Sequence, residues 1–195
     1  GSHSRDLVRS LIRSYGTEYD IKIISTRWGG CQMTALTSGV DDDIISRLHF
    51  GGLDKKPEIF VQVSVPNEFQ RLGNINVGIT AGIECTMVDA EWLNGMNRMD
   101  YNIVPSKFAK DVFLNTKYTK LDKNTNQQMG ELKLEKDIDI LFEGVDLNIY
   151  KKVNEIPRLI SDELLGIKEE FCFLNSGHWL AGDLSQDRKD IGMVI

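Results

Sequence analysis

Four short stretches carry side chains whose types and settings could do chemistry: Trp28-Gly29-Gly30, Gly82-Ile83-Glu84, Pro105-Ser106 and Arg188-Lys189. Glu84 stands between a strand-like run and a helix-like run. A carboxylate there can accept hydrogen bonds from a sugar hydroxyl, or from the unpartnered N–H groups of a helix start. Ser106 reads as the N-cap or first-turn residue of a helix after Val104, and such a helix start also aims N–H groups at an anion or hydroxyl beyond the strand. Trp28-Gly29-Gly30 closes a short apolar run, so it is either a tight turn or a place where backbone approaches a ligand. Arg188 and Lys189 are adjacent cations ahead of a helix-like segment, and composition alone makes them a solvated pair.

Other chemistries lack their residues. His3, His49 and His178 fall in three separate segments, none at metal-ligand spacing from another His or Cys. Cys31, Cys85 and Cys172 are an odd number without a C-x-x-C pair, which points away from a disulfide framework or zinc ribbon and toward a reducing cytoplasm. There is no G-x-S-x-G elbow to anchor a Ser/His/Asp triad, and no phosphate-binding P-loop or complete G-x-G-x-x-G fingerprint, which removes the best-supported routes to an NTPase or a dehydrogenase, and no cofactor is expected. The net charge of -6 is a poor match for a phosphate backbone, and nucleic acid is not an expected partner. No run approaches the roughly 18 apolar residues of a membrane span. Peripheral contact with a membrane stays open.

The elements that must position these residues follow from periodicity. Leu7, Val8, Leu11 and Ile12 recur at helical spacing from Arg5 to Tyr15. Tyr19 to Ser25 reads as a short strand, Asp41 to His49 as a short helix, and Ile59 to Val65 as a nearly continuous apolar strand of the kind buried on both faces of a parallel sheet. Ile75–Thr80 and Asn102–Val104 are strands with a helix, Asp89–Met99, between them, and Ser106–Leu114 is the next helix. Asp89 and Glu91 are first-turn acids of that intervening helix, and Trp92 is a core residue by its spacing from Val88 and Met96. The alternation predicts parallel βαβ units, with ligands beyond the carboxyl ends of the strands. Lys117–Asp122 and Met129–Glu135 flank a turn-rich Lys123–Gln127 and read as a projecting β-hairpin. Ile138–Phe142 is another strand, 151–168 a polar linker, and Phe171–Gly177 the strand with which a second domain opens. Gly1-Ser2-His3 reads either as the remnant of a cleaved tag or as a native loop, and it enters no site assignment. Asp190–Ile195 reads as the start of a helix that stops, which is expected of a fragment.

In this order and spacing, residues 80–113, 140–152 and 171–195 resemble the retaining GT-B glycosyltransferases of the glycogen-synthase-like and mannosyltransferase-like type. The family's strand leading into a Pro-Ser helix start is matched by Val104-Pro105-Ser106. Its Asn-Gly-Val-Asp strand end is matched by Glu143-Gly144-Val145-Asp146, with Glu in place of Asn. Its Arg-Lys-Gly helix start is matched by Arg188-Lys189-Asp190. The resemblance covers about Asp20 to the end and rests on several weak motifs in series.

The resemblance implies a Rossmann-like acceptor-side domain over 4–150 with a hairpin insertion at 117–135, a linker at 151–168, and a truncated start of a donor-binding domain at 169–195. It implies transfer of a sugar from a nucleotide-sugar donor to a carbohydrate or glycoconjugate acceptor with retention of configuration, without metal and without an assigned protein nucleophile. Trp28, Gly29, Gly30, Glu84 and Ser106 would line the acceptor side of the cleft, and Arg188 and Lys189 would bind the donor diphosphate. Asp190 stands where the family has Gly, His178 follows Gly177 where Arg is common, and the glutamate-rich donor motif is absent, so the chain as given is expected to be inactive. The alternatives are a non-catalytic carbohydrate- or partner-binding module of the same fold and a sugar-nucleotide epimerase. Against the epimerase, none of Tyr15, Tyr101 and Tyr118 has Lys four residues on.

Overall fold

The computed structural model describes residues 2–26, 36–122, 124–148 and 150–173. The chain divides into two compact units, Gly1–Val145 and Asp146–Ile195. The first unit is a mixed α/β structure built on a parallel four-stranded sheet, compatible with a Rossmann-like fold. Its strands are β1 (Ile59–Val63), β2 (Ile75–Ile79), β3 (Tyr101–Val104) and β6 (Ile138–Ile140), in the spatial order β1-β2-β3-β6. β4 (Tyr118–Leu121) and β5 (Gln128–Leu132) form a separate antiparallel hairpin between β3 and β6. The helices are α1 (Ser2–Tyr15), α2 (Asp42–Ile45), α3 (Ala90–Arg98) and α4 (Lys107–Asn115). In the second unit the described residues form one helix, α5 (Arg158–Leu164).

The register explains which side chains make the core. Ile59 pairs with Ile75, Val61 with Val77, and Val77 in turn with Tyr101. Alternation along each strand therefore puts Asn76, Gly78, Asn102, Val104 and Ile138 on the opposite face. The strands are parallel and step one way across the sheet, so right-handed crossovers carry α3 and α4 to a single face. The core gathers there: Leu93, Met96, Met99, Val104 and Phe113 have no exposure at all. Full burial of such side chains contributes about 1.5–3 kcal/mol each. Trp92, expected in the core, is half-buried and packs against it, stacked on Phe113 at 6.3 Å between centroids. α3 lies so close to the 3-10 turn Pro66–Glu68 that a Cβ on Gly95 would sit 1.8 Å from the Pro66 carbonyl oxygen.

Two expectations fail against this arrangement. β1 is not buried on both faces: exposed Ile59, Val61 and Val63 alternate with half-buried Phe60 and Gln62. Tyr19–Ser25 is not a strand. Ile23 makes a single parallel bridge to Leu48, through Ile23 N–H to the Arg47 carbonyl and His49 N–H to the Ile23 carbonyl, both at 2.8 Å. The β-branched run finds no neighbouring ladder, and strand propensity without cross-strand partners does not make a strand. In the second unit, Phe171–Phe173 belong to no strand, and the rest of the strand expected there lies outside the described residues.

Polar anchors hold the ends of the elements. At the amino end of the sheet the buried Asn76 side chain bonds both backbone groups of Gly73, and its amide donates to Asp100 at 3.0 Å. Asp100 also accepts from the Asn76 N–H and from Arg71, both at 2.9 Å. The Asn76 hydrogen bonds, then Arg71, hold its carboxyl below the usual carboxylate range. Asp41 pins α1 to α2: it accepts the Thr37 N–H at 2.8 Å and an Arg9 hydrogen bond, which depress its pKa against the effect of burial. On the open side of the sheet the Tyr101 hydroxyl donates to Asp139, which raises the tyrosine pKa.

Candidate functional site

The carboxyl edge of the sheet carries the site. β2 ends at Ile79, and the chain runs on through Thr80 and Ala81 into Gly82, whose φ of +77° lies in the left-handed region. Glycine adopts that conformation without the Cβ penalty. Its small size is used as well, since a Cβ there would fall 2.9 Å from the Ala109 Cβ in the first turn of α4. The loop is thereby laid against the start of α4, and Glu84 comes to the same place as Ser106.

Ser106 is the N-cap of α4. Its extended backbone (φ -149°, ψ 159°) turns its Oγ to accept the Ala109 N–H at 3.1 Å. One of the unpartnered first-turn donors is satisfied in this way, and the positive end of the helix dipole stays at the loop. Ala81, Gly82, Ile83, Glu84, Ser106, Phe108 and Ala109 together line a cavity of about 240 Å³. Glu84 is exposed, Ser106 is half-buried, and α3 and β3 separate them along the chain.

Glu84 is not the N-cap of α3. That position belongs to Asp89, whose carboxylate accepts the Glu91 N–H at 2.8 Å, and Glu84 precedes it by a loop. Glu91 completes the first turn as an acid and accepts from the Asn94 amide at 3.0 Å.

A second cavity, of about 190 Å³, adjoins the first through Ala81. Its walls are Val63, Ile79, Thr80, Val104, Pro105 and Leu141, all at or just beyond strand ends, with His3 and Glu143 at one side. The His3 Nε2 and Glu143 Oε1 are 3.9 Å apart. Sequence patterns marked only Pro105 and Glu143 of this compartment, as parts of the Pro-Ser and Glu-Gly-Val-Asp motifs. Val63, Ile79 and Val104 read as ordinary strand residues, and His3 fell in a tripeptide set aside. The available signal was Thr80, a polar residue ending an apolar strand, which the fold buries.

Of the other expected site residues, Trp28, Gly29, Gly30, Arg188 and Lys189 lie outside the described residues. The order β1-β2-β3-β6 does not reverse among the described strands, so the crevice comes from the Gly82 loop and the α4 start rather than from a topological switch point. Among the described residues no group of three or more His, Cys, Asp or Glu is placed to hold a metal ion, and no helix is long and apolar enough to cross a membrane. Cys85 and Cys172 are exposed free thiols. Comparisons with family models, curated proteins and solved structures gave no match to this chain.

A carboxylate, a hydroxyl and a helix N-terminus around a cavity of this size can hold a hydroxylated ligand. The carboxylate accepts from a ligand hydroxyl, and the hydroxyl and backbone N–H groups donate to ligand oxygens.

Proposed function

We propose that this chain forms the acceptor side of a retaining glycosyltransferase of the GT-B type, acting on a nucleotide-sugar donor and a carbohydrate or glycoconjugate acceptor. The observation that carries this reading is the convergence of Glu84 and Ser106 on one cavity at the carboxyl edge of a parallel sheet. It is joined by the serial motifs Pro105-Ser106, Glu143-Gly144-Val145-Asp146 and Arg188-Lys189.

In this mechanism the acceptor hydroxyl is oriented by a hydrogen bond to the Glu84 carboxylate. The bond from the donor sugar C1 to the diphosphate oxygen breaks, the acceptor oxygen bonds to C1 on the same face, and the acceptor hydroxyl proton passes to the departing diphosphate oxygen. Positive charge develops on the sugar ring and negative charge on the leaving diphosphate. Arg188 and Lys189 would offset the latter, the kind of charge stabilisation that lowers a transition state most. Glu84 and Ser106 act here as binding residues, and no protein nucleophile is assigned.

The test is transfer or hydrolysis by the full-length protein with a panel of UDP, GDP and ADP sugars. Turnover of one donor with retained configuration supports the proposal. Sugar binding without turnover would replace it with a non-catalytic carbohydrate-binding module.

A further inference from the structure

Resting on the acceptor-side reading of the Glu84 cavity, we infer that the acceptor is amphipathic: a hydroxylated head at Glu84 and Ser106 joined to an apolar group that enters the adjoining compartment. The two cavities share Ala81; the first is lined by Ile83, Phe108 and Ala109 beside its polar groups, and the second is the more apolar of the two. The first offers Glu84, Ser106 and the start of α4. The second is lined by Val63, Ile79, Val104, Pro105 and Leu141, and the polar residues of its lining are Thr80, His3 and Glu143.

Its volume of about 190 Å³ exceeds the roughly 150 Å³ that holds a benzene molecule in an apolar protein cavity. Ile79 and Val104 are buried, with 5% and 0% exposure, so they back the compartment, and the apolar surface open to a ligand comes from Val63, Pro105 and Leu141. A purely hydrophilic acceptor would leave this compartment without a complementary group. A phenyl ring or a short branched alkyl chain fits it, and removing apolar carbons from water strengthens binding by roughly fourfold per methylene. Val104 lines the second compartment and Ser106 the first, with the chain bending at Pro105 and Ser106 between them, so a ligand that spans both follows a short stretch of chain.

The experiment is a titration of the full chain, 13C-labelled at methyl groups, with matched phenyl and methyl glycosides of glucose, galactose and mannose. The resonances of Val63, Ile79, Ala81, Val104 and Leu141 are followed. For at least one sugar, the phenyl glycoside, which carries five more carbons, is expected to shift them saturably at a concentration lower by about tenfold or more than its methyl counterpart. Val63→Phe, which fills the compartment from the exposed edge strand, is expected to reduce that ratio to below about twofold; Leu141→Phe does the same should Val63→Phe fail to fold. Equal affinity for both glycosides, or no perturbation by either, would overturn the inference. The two readings fail separately. A phenyl preference in a full-length protein that transfers no sugar would remove the transferase and keep the compartment. Transfer indifferent to the aglycone would keep the transferase and remove the amphipathic acceptor.

Discussion

Ser106 has two roles in this account, and one pair of substitutions separates them. Its Oγ accepts the Ala109 N–H at 3.1 Å, so Ser106→Ala removes the cap and is expected to cost about 1 kcal/mol. For a unit of this size that lowers Tm by roughly 2–4 °C. Ser106→Gly also removes the hydroxyl, yet glycine caps within a few tenths of a kcal/mol of serine, and the backbone at φ -149° is freely available to it. A hydroxyl that also bonds the acceptor adds about 0.5–1.5 kcal/mol to binding, so its removal weakens affinity by roughly 2- to 13-fold. The account therefore predicts that both variants lose acceptor affinity to a similar extent while only Ser106→Ala loses stability. Thermal unfolding and acceptor titration on the same preparations read the two quantities. Near-native affinity in Ser106→Gly, with the loss confined to Ser106→Ala, would show that Ser106 is a cap and nothing more.

Two further predictions concern how the site is held and how the fold responds to acid. Gly82→Ala forces a side chain into the left-handed region and toward the Ala109 Cβ, and is expected to destabilise by about 1–3 kcal/mol and to weaken acceptor binding. Gly144→Ala, which meets nothing within 4 Å, stays within about 0.5 kcal/mol of the parent in the same unfolding measurement. Asp100 has a folded pKa below its unfolded value, so its contribution to stability is complete above about pH 4 and is lost as pH falls through the folded pKa. Asp100→Asn is accordingly expected to be less stable at neutral pH and to show a shallower loss of stability on acidification below about pH 4. An unchanged acid profile would remove Asp100 from the set of groups that set it.

Much of the first unit was legible because its signals are local. The hairpin is one case: the Asp122 carboxylate accepts the Asn124 and Thr125 N–H groups at 2.8 Å, and Asn126 takes a left-handed φ of 53°, a turn chemistry readable from residue types. The α3 and α4 starts were readable through Asp89 and Ser106 for the same reason. What failed depended on distant partners. A continuous apolar run such as Ile59–Val65 states that a strand is apolar on both sides, but whether a helix covers each side is decided elsewhere in the chain. Tyr19–Ser25 has strand composition and no ladder to join. At the site, Glu84 and Ser106 were visible as strand-end residues, whereas the apolar compartment was marked only at Pro105 and Glu143, since it is formed mainly by ordinary strand side chains brought together only by register.

The measurement that bears most directly on the central claim is glycosyl transfer by the full-length protein with the panel of nucleotide sugars, run in parallel on the Glu84→Ala variant. The account predicts turnover of at least one donor with retained anomeric configuration, and a rise of about tenfold or more in the acceptor concentration required when the Glu84 carboxylate is removed. No turnover and no binding of any nucleotide sugar by the parent protein would contradict it.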